Sequence, residues 1–185
     1  MPPTEIAARR STEQNDDITI RMPSEEDGSK VWRLVKAADT LDENSMYCNL
    51  LQCSHFASTC ALAERNGKII GWVSGYIPPD HPERLFVWQV CVREDARGNG
   101  LGKRLIRDIL ERDTCRDISH INTTITDDND ASWSLFHKIA QSLDAGLARS
   151  AHFEEETHFD GHHQTEHLVS IGPFDVDRAA IKAAA

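Results

Sequence analysis

The chain has 185 residues, 39% of them hydrophobic, and a formal net charge of −10 at pH 7. That length suits one compact domain with a sizeable core, and the acidic balance argues against nonspecific nucleic-acid binding while suiting a cationic substrate. No apolar run approaches the roughly 18 residues that cross a bilayer, and the first residues carry no apolar signal segment, so the expectation is a cytoplasmic protein without membrane contact.

Residues 1–17 are polar and aperiodic, which predicts a mobile tail; residues 18–172 are expected to form the single domain and 173–185 a C-terminal tail. Ile18 to Arg21 reads as a short strand. Ser24-Glu25-Glu26-Asp27 has the form of a capping box, and Val31, Leu34, Val35 and Ala38 follow at helical spacing, with Gly28 weakening the first turn. A polar link from Asp39 to Asn44 leads to Ser45, which can cap a short second helix through Met46, Leu50 and Leu51. Asn66-Gly67 between Thr59–Arg65 and Lys68–Ile77 is a two-residue hairpin signal.

The stretch from Leu85 to Ile109 organises the chain. Leu85 to Val92 is apolar on both faces, as a central strand covered on both sides requires. Gly98, Gly100 and Gly102 then remove side chains that would hold an anion away from the backbone, and the helix after them leaves its first N–H groups unpaired, which favours a phosphate. A flexible glycine turn before a helix is the plainer alternative. The P-loop would need Gly at Arg97 and Ser or Thr at Arg104, and the dinucleotide fingerprint would need Gly at Lys103, so both fail on spelling. Leu101, Leu105, Ile106, Ile109 and Leu110 make one apolar stripe.

Ile118 to Thr126 reads as another strand, and Asn129 stands where it can cap a helix carrying Phe136, Ile139, Ala140 and Leu143. Leu147 to Phe159 and His163 to Ile171 are strand-like and joined by Asp160-Gly161, a closing hairpin. Five cysteines (Cys48, Cys53, Cys60, Cys91 and Cys115), without Cys-x-x-Cys spacing, read as reduced core residues. His152, His158, His162, His163 and His167 cluster near the last hairpin. Without a cysteine or a fixed helical spacing they read as surface or pocket residues and no metal is expected.

Arg97-Gly98-Asn99-Gly100-Leu101-Gly102 resembles motif A of the GNAT superfamily of acetyl-CoA-dependent N-acetyltransferases. The strand, Asn129 and helix order resembles its motif B. The resemblance covers most of residues 18 to 171 and implies an α/β (α+β) GNAT fold: a mixed, mostly antiparallel sheet flanked by helices, with splayed central strands holding acetyl-CoA. It also implies that Arg97 to Lys103 hold the pyrophosphate, that the Val90 and Val92 main chains pair with the pantetheine, and that Asn129 holds its arm. Phe136 stands where the family often has a Tyr that protonates the departing thiolate. Asp39 to Cys48, Phe86 to Val90 and His152 through Leu168 resemble the L-2,4-diaminobutyrate acetyltransferases of ectoine biosynthesis, which implies acetylation of the γ-amino group of L-2,4-diaminobutyrate. GNAT enzymes often dimerise, so a homodimer is a possible assembly.

The chemistry asks for a base, because an amine of pKa about 10 is almost wholly protonated at pH 7. It also asks for a backbone donor, at Val90 or its neighbour, to meet the charge developing on the carbonyl oxygen. The departing thiolate, of pKa about 8.5, is a tolerable leaving group without an acid. A diamino acid calls for acidic groups beside an aromatic wall, and Asp39, Trp88, His163 and Glu166 are the candidates, with His163 and Glu166 also candidates for the proton transfer. Each has a plainer use: Asp39 as a cap, Trp88 as core, Glu166 as a solvated strand residue. Two other classes share these features, a GNAT enzyme for another polyamine, amino acid or protein lysine, and a non-catalytic coenzyme A or metal-binding module.

Overall fold

The computed structural model describes residues 18–38 and 44–175. The expected tail at 1–17, most of the link that begins at Asp39, and the chain from 176 onward lie outside the described residues. The strands are β1 (Thr19–Arg21), β2 (Ala61–Arg65), β3 (Lys68–Tyr76), β4 (Arg84–Val92), β5 (His120–Ile125), β6 (Leu147–Phe153) and β7 (Glu166–Ile171). The helices are α1 (Gly28–Lys36), α2 (Met46–Ser54), α3 (Leu101–Leu110), α4 (Asp130–Ser142) and the single turn α5 (Glu155–His158). The strands form one sheet in the order β1-β2-β3-β4-β5-β7-β6. Every neighbouring pair is antiparallel except β4 and β5, the mixed sheet that the sequence predicts.

Both faces of the sheet are covered. On one, Leu105, Ile106 and Ile109 of α3 and Ile139 of α4 pack on Val87, Ile121, Val169 and Ile171. On the other, Val31 and Val35 of α1 and Cys53 of α2 pack on Leu62, Trp72 and Cys91. Side chains alternate along a strand, so Glu166, Leu168 and Ser170 stand on the α1/α2 face, opposite Val169 and Ile171.

Local signals set the element ends. The Asp27 carboxylate takes the Ser24 N–H at 2.9 Å, closing the turn ahead of α1, and the Ser45 hydroxyl caps α2 by accepting from Cys48 N–H at 3.1 Å. Asn66 and Gly67 both take positive φ, as their hairpin demands. Gly28 corrects the sequence reading. A Cβ there would lie 2.6 Å from Leu50 Cδ2 and 2.9 Å from Leu50 Cα, so this glycine allows α1 and α2 to approach closely.

The closing hairpin is also corrected. The strand expected to run to Phe159 ends at Phe153, and the strand expected from His163 begins at Glu166. Between them, α5 and the turn at Asp160 and Gly161, both at positive φ, form a long connection. The glutamates at 154–156 fall here: Glu154 precedes α5 as its N-cap, and acidic side chains in the first turn suit a helix N-terminus better than a strand.

Candidate active site

The site is a wedge between β4 and β5. The two strands pair in parallel only at Arg84↔His120, Leu85↔Ile121 and Phe86↔Asn122. On its other side β4 carries a bulge: Ser74 faces Gln89 and Gly75 faces Val87, so Trp88 is an extra residue with no partner on β3. A bulge bends its strand and sharpens the twist, which turns the second half of β4 away from β5. It also puts Trp88 and Gln89 on the same face, because Phe86 and Gln89 oppose Tyr76 and Ser74 while the extra residue lies between them.

At the far end of β4, Arg97 closes a short 3-10 turn and its Nε donates to Val92 O at 3.0 Å. Gly98 and Gly100 have φ of 84° and 69°, and a Cβ on either would meet nothing within 4 Å. That left-handed backbone is costly for other residues, and it opens onto the first N–H groups of the ten-residue α3, whose N-cap is Gly100. Asn99 is exposed, Lys103 half-buried in the first turn, and the Leu101 side chain buried in the core. Gly102 differs from the other two: a Cβ there would lie 3.4 Å from both Leu135 and Val90, so its smallness serves the packing of α3 against α4 and β4. The cradle suits a pyrophosphate.

Val90 and Val92, two residues apart, present their main-chain groups to the same edge of β4. Asn129 caps α4 by accepting from Ser132 N–H at 3.0 Å, which leaves its Nδ2 as a donor at the mouth of the wedge. Phe136 is 2% exposed and lies within the α3/α4 core, and its phenyl ring carries no acidic proton for a departing thiolate. Burial pushes Cys53 and Cys60 up to about 12, and Cys91 and Cys115 up to about 11. These thiols are not nucleophiles at neutral pH.

On the α1/α2 face the wedge is aromatic and acidic. Trp88 is 50% exposed, and its ring stands edge-on to Tyr76 with centroids 6.5 Å apart. Tyr76 also stacks on Phe86 at 5.2 Å. The sequence alternative of a core Trp88 does not hold, since the bulge lifts it out of the sheet packing. Glu166 lies on an inner strand and its Oε2 is buried without a hydrogen-bond partner; the other oxygen is 3.9 Å from His163 Nε2. His163 Nδ1 lies 2.8 Å from Gln164 O. A carbonyl only accepts, so Nδ1 donates to it and Nε2 is the ring nitrogen turned toward Glu166. A carboxylate with one unpaired oxygen beside an imidazole can draw a proton from an ammonium group. Asp39 lies outside the described residues.

Three polar residues escaped the sequence reading. Asn122 ends the β4–β5 pairing with its Oδ1 buried and unpartnered, and Ser74 Oγ is likewise buried without a partner. Gln89, 9% exposed, accepts from Asn44 Nδ2 at 3.2 Å and so ties the chain ahead of α2 to β4. For Gln89 the available signal was a polar side chain inside the otherwise apolar LFVWQVCV, whereas Asn122 sits among His120, Thr123 and Thr124 in HINTTI and gave none.

The histidines of the last hairpin do not converge. His158 Nδ1 accepts from Glu154 N–H at 2.9 Å, His152 packs on Phe153 at 4.2 Å, and His167 is held by Arg149 and Asp127 on the α3/α4 face. Among the described residues no group of three or more His, Cys, Asp or Glu side chains is placed to hold a metal.

Similarity to known proteins agrees with this geometry. The chain is 47% identical over 162 residues, 88% of its own length and 94% of the relative's, to the L-2,4-diaminobutyric acid acetyltransferase of Methylotuvimicrobium alcaliphilum. It is 42% identical to the enzyme of that name from Halomonas elongata, over 87% of this chain and 84% of the relative. Diaminobutyrate acetyltransferase EctA from Paenibacillus lautus, solved with L-2,4-diaminobutyric acid and coenzyme A, superposes with a TM-score of 0.83 at 35% identity, covering 88% of this chain and 98% of that one. The acetyltransferase (GNAT) family model matches residues 25–140, and the chain belongs to that family.

Proposed function

We propose that the chain transfers the acetyl group of acetyl-CoA to the γ-amino group of L-2,4-diaminobutyrate, giving N4-acetyl-L-2,4-diaminobutyrate, a step of ectoine biosynthesis. The observation that carries the reading is a wedge with two different ends. A glycine cradle on a helix N-terminus suits the pyrophosphate of coenzyme A, and an exposed Trp88 with an unpaired Glu166 oxygen on the α1/α2 face suits an ammonium ion. The likeness to an enzyme solved with both of those molecules supports the same assignment.

In this reading the substrate ammonium group lies against the Trp88 ring, where the π face attracts a cation. Glu166 takes its proton, with His163 Nε2 beside it to pass the proton on. The freed nitrogen attacks the thioester carbonyl while Val90, on the half of β4 that has parted from β5, offers its N–H to the oxygen as negative charge develops. The carbon–sulfur bond then breaks and coenzyme A leaves as a thiolate of pKa about 8.5. That explains why Phe136 can stand where an acid is often found. Asp39 is proposed as a second anionic partner of the substrate. Asn122 Oδ1, buried at the apex, would accept from a substrate N–H.

The test is steady-state turnover with acetyl-CoA and, in parallel, L-2,4-diaminobutyrate, ornithine, lysine and a lysine peptide. The reading predicts the highest kcat/KM for diaminobutyrate. Equal or greater turnover of ornithine or the peptide would assign the wedge to another amine, and no acetylation of any of the four would leave a coenzyme A binding module.

A further inference from the structure

The connection between β6 and β7 is held together by its own rings. Phe153, the last residue of β6, stands edge-on to Phe159 with centroids 6.3 Å apart, and edge-on to His158 at 5.7 Å. Phe159 in turn lies against His163, at 4.7 Å and tilted by 41°. Between 154 and 164 only Phe159 and His163 are half-buried, and every other residue is exposed. A ladder of rings therefore runs from the end of β6 to the imidazole beside Glu166.

Two contacts within this connection restrain the His163 ring, and they restrain different things. Nδ1 donates to Gln164 O at 2.8 Å, and the Gln164 side chain is itself tied to the turn ahead of α4, its Nε2 donating to Asp128 Oδ2 at 3.0 Å. That bond anchors one atom of the ring, about which the rest can still swing. The Phe159 face sets the plane, and an aromatic pair of this kind has a preferred geometry of its own. With both restraints in place, Nε2 lies 3.9 Å from Glu166 Oε1 while 35% of the His163 side chain stays open to water, a way out for a proton received from Glu166.

We propose that Phe159 is a positioning residue for deprotonation of the amine: it holds the His163 imidazole so that Nε2 stays aimed at Glu166 and carries the proton on to water. The proposal rests on the reading that Glu166 and His163 move the amine's proton, and it gives Phe159 no contact with substrate or coenzyme A.

Steady-state kinetics of the full chain with acetyl-CoA and L-2,4-diaminobutyrate test it in the wild type, Phe159→Leu, Phe159→Tyr, His163→Gln and the variant carrying both Phe159→Leu and His163→Gln, with thermal midpoints to confirm folding. Phe159→Leu should lower kcat about tenfold and leave both KM values unchanged, because the loosened ring is misaimed while the bound molecules keep their contacts. Phe159→Tyr keeps the ring face and should restore kcat to within about twofold of the wild type. The double variant should be no slower than His163→Gln alone, since Phe159 acts only through the imidazole. Phe153→Leu, which frees the Phe159 ring from the end of β6, should show a smaller loss of the same kind and carries the test if Phe159→Leu does not fold. Wild-type kcat in both leucine variants overturns the proposal, as does a Phe159→Tyr as slow as Phe159→Leu, or a double variant slower than His163→Gln by the full Phe159→Leu factor. A raised KM for diaminobutyrate with kcat intact overturns it too, by placing Phe159 against the substrate. His163→Gln with wild-type turnover refutes the proton-transfer reading as well, whereas a slow His163→Gln beside unimpaired leucine variants refutes this proposal alone.

Discussion

Phe86 and Asn122 are the last facing residues of β4 and β5 before the strands part, and the carboxamide oxygen of Asn122 is buried there without a donor. An unpaired buried acceptor costs about 1–3 kcal/mol, so its replacement separates a structural residue from one that meets substrate. Asn122→Ala is expected to hold or raise the thermal midpoint and to raise the KM for diaminobutyrate about tenfold, with the KM for acetyl-CoA unchanged. Unchanged kinetics with a lower midpoint would assign Asn122 to the fold alone.

Glu166 is expected to matter through kcat. Glu166→Gln keeps the volume and removes the basic oxygen, and loss of a positioned base costs about 10²–10⁴-fold. The variant should turn over at least about a hundredfold more slowly at pH 7 and recover part of the loss as pH rises and more of the amine is unprotonated. A pH-independent deficit, or kcat within a few-fold of the wild type, would remove Glu166 from the proton transfer.

Away from the wedge, Arg21 and Asp27 make a two-pronged pair, at 2.7 and 3.0 Å, and the Asp27 side chain is 2% exposed. The Arg21 guanidinium, with help from the Ser24 N–H, holds the Asp27 carboxyl down at about 2 against the opposing effect of burial. A carboxyl depressed in the folded state stabilises above its unfolded value of about 3.9, and that contribution is lost as pH falls through about 2. Asp27→Asn should therefore cost about 2 kcal/mol at pH 7. In chemical denaturation series the gap from the wild type should narrow between about pH 4 and pH 2. A gap constant across that window would show that the charge is not what stabilises the turn.

Gly28→Ala sets two effects against each other. Helix propensity favours alanine by about 1 kcal/mol, but the new Cβ would lie 2.6 Å from Leu50 Cδ2 and 2.9 Å from its Cα. The backbone atom cannot rotate away, so overpacking of about 1–3 kcal/mol should win and the thermal midpoint should fall. A rise would mean that α1 and α2 separate freely.

Features set by neighbouring residues were legible in the sequence. Asn66-Gly67, the caps at Ser45 and Asn129, and the glycine cradle ahead of α3 each act within a few residues of themselves. Features set by distant partners were not. The bulge at Trp88 exists only against Ser74 and Gly75 of β3, and the need for Gly28 comes from Leu50. The placement of β7 between β5 and β6, which takes Glu166 off the sheet edge, follows from a pairing that no local pattern encodes.

The most direct test of the central claim is thiol release from acetyl-CoA in the presence of L-2,4-diaminobutyrate, with the acetylated nitrogen assigned by NMR. Cys53, Cys60, Cys91 and Cys115 are buried with raised thiol pKa values, so a thiol reagent should report mainly the released coenzyme A. The account predicts stoichiometric thiol release and a product acetylated on the γ-nitrogen. Acetylation at the α-nitrogen alone, or no amine-dependent release, would contradict it.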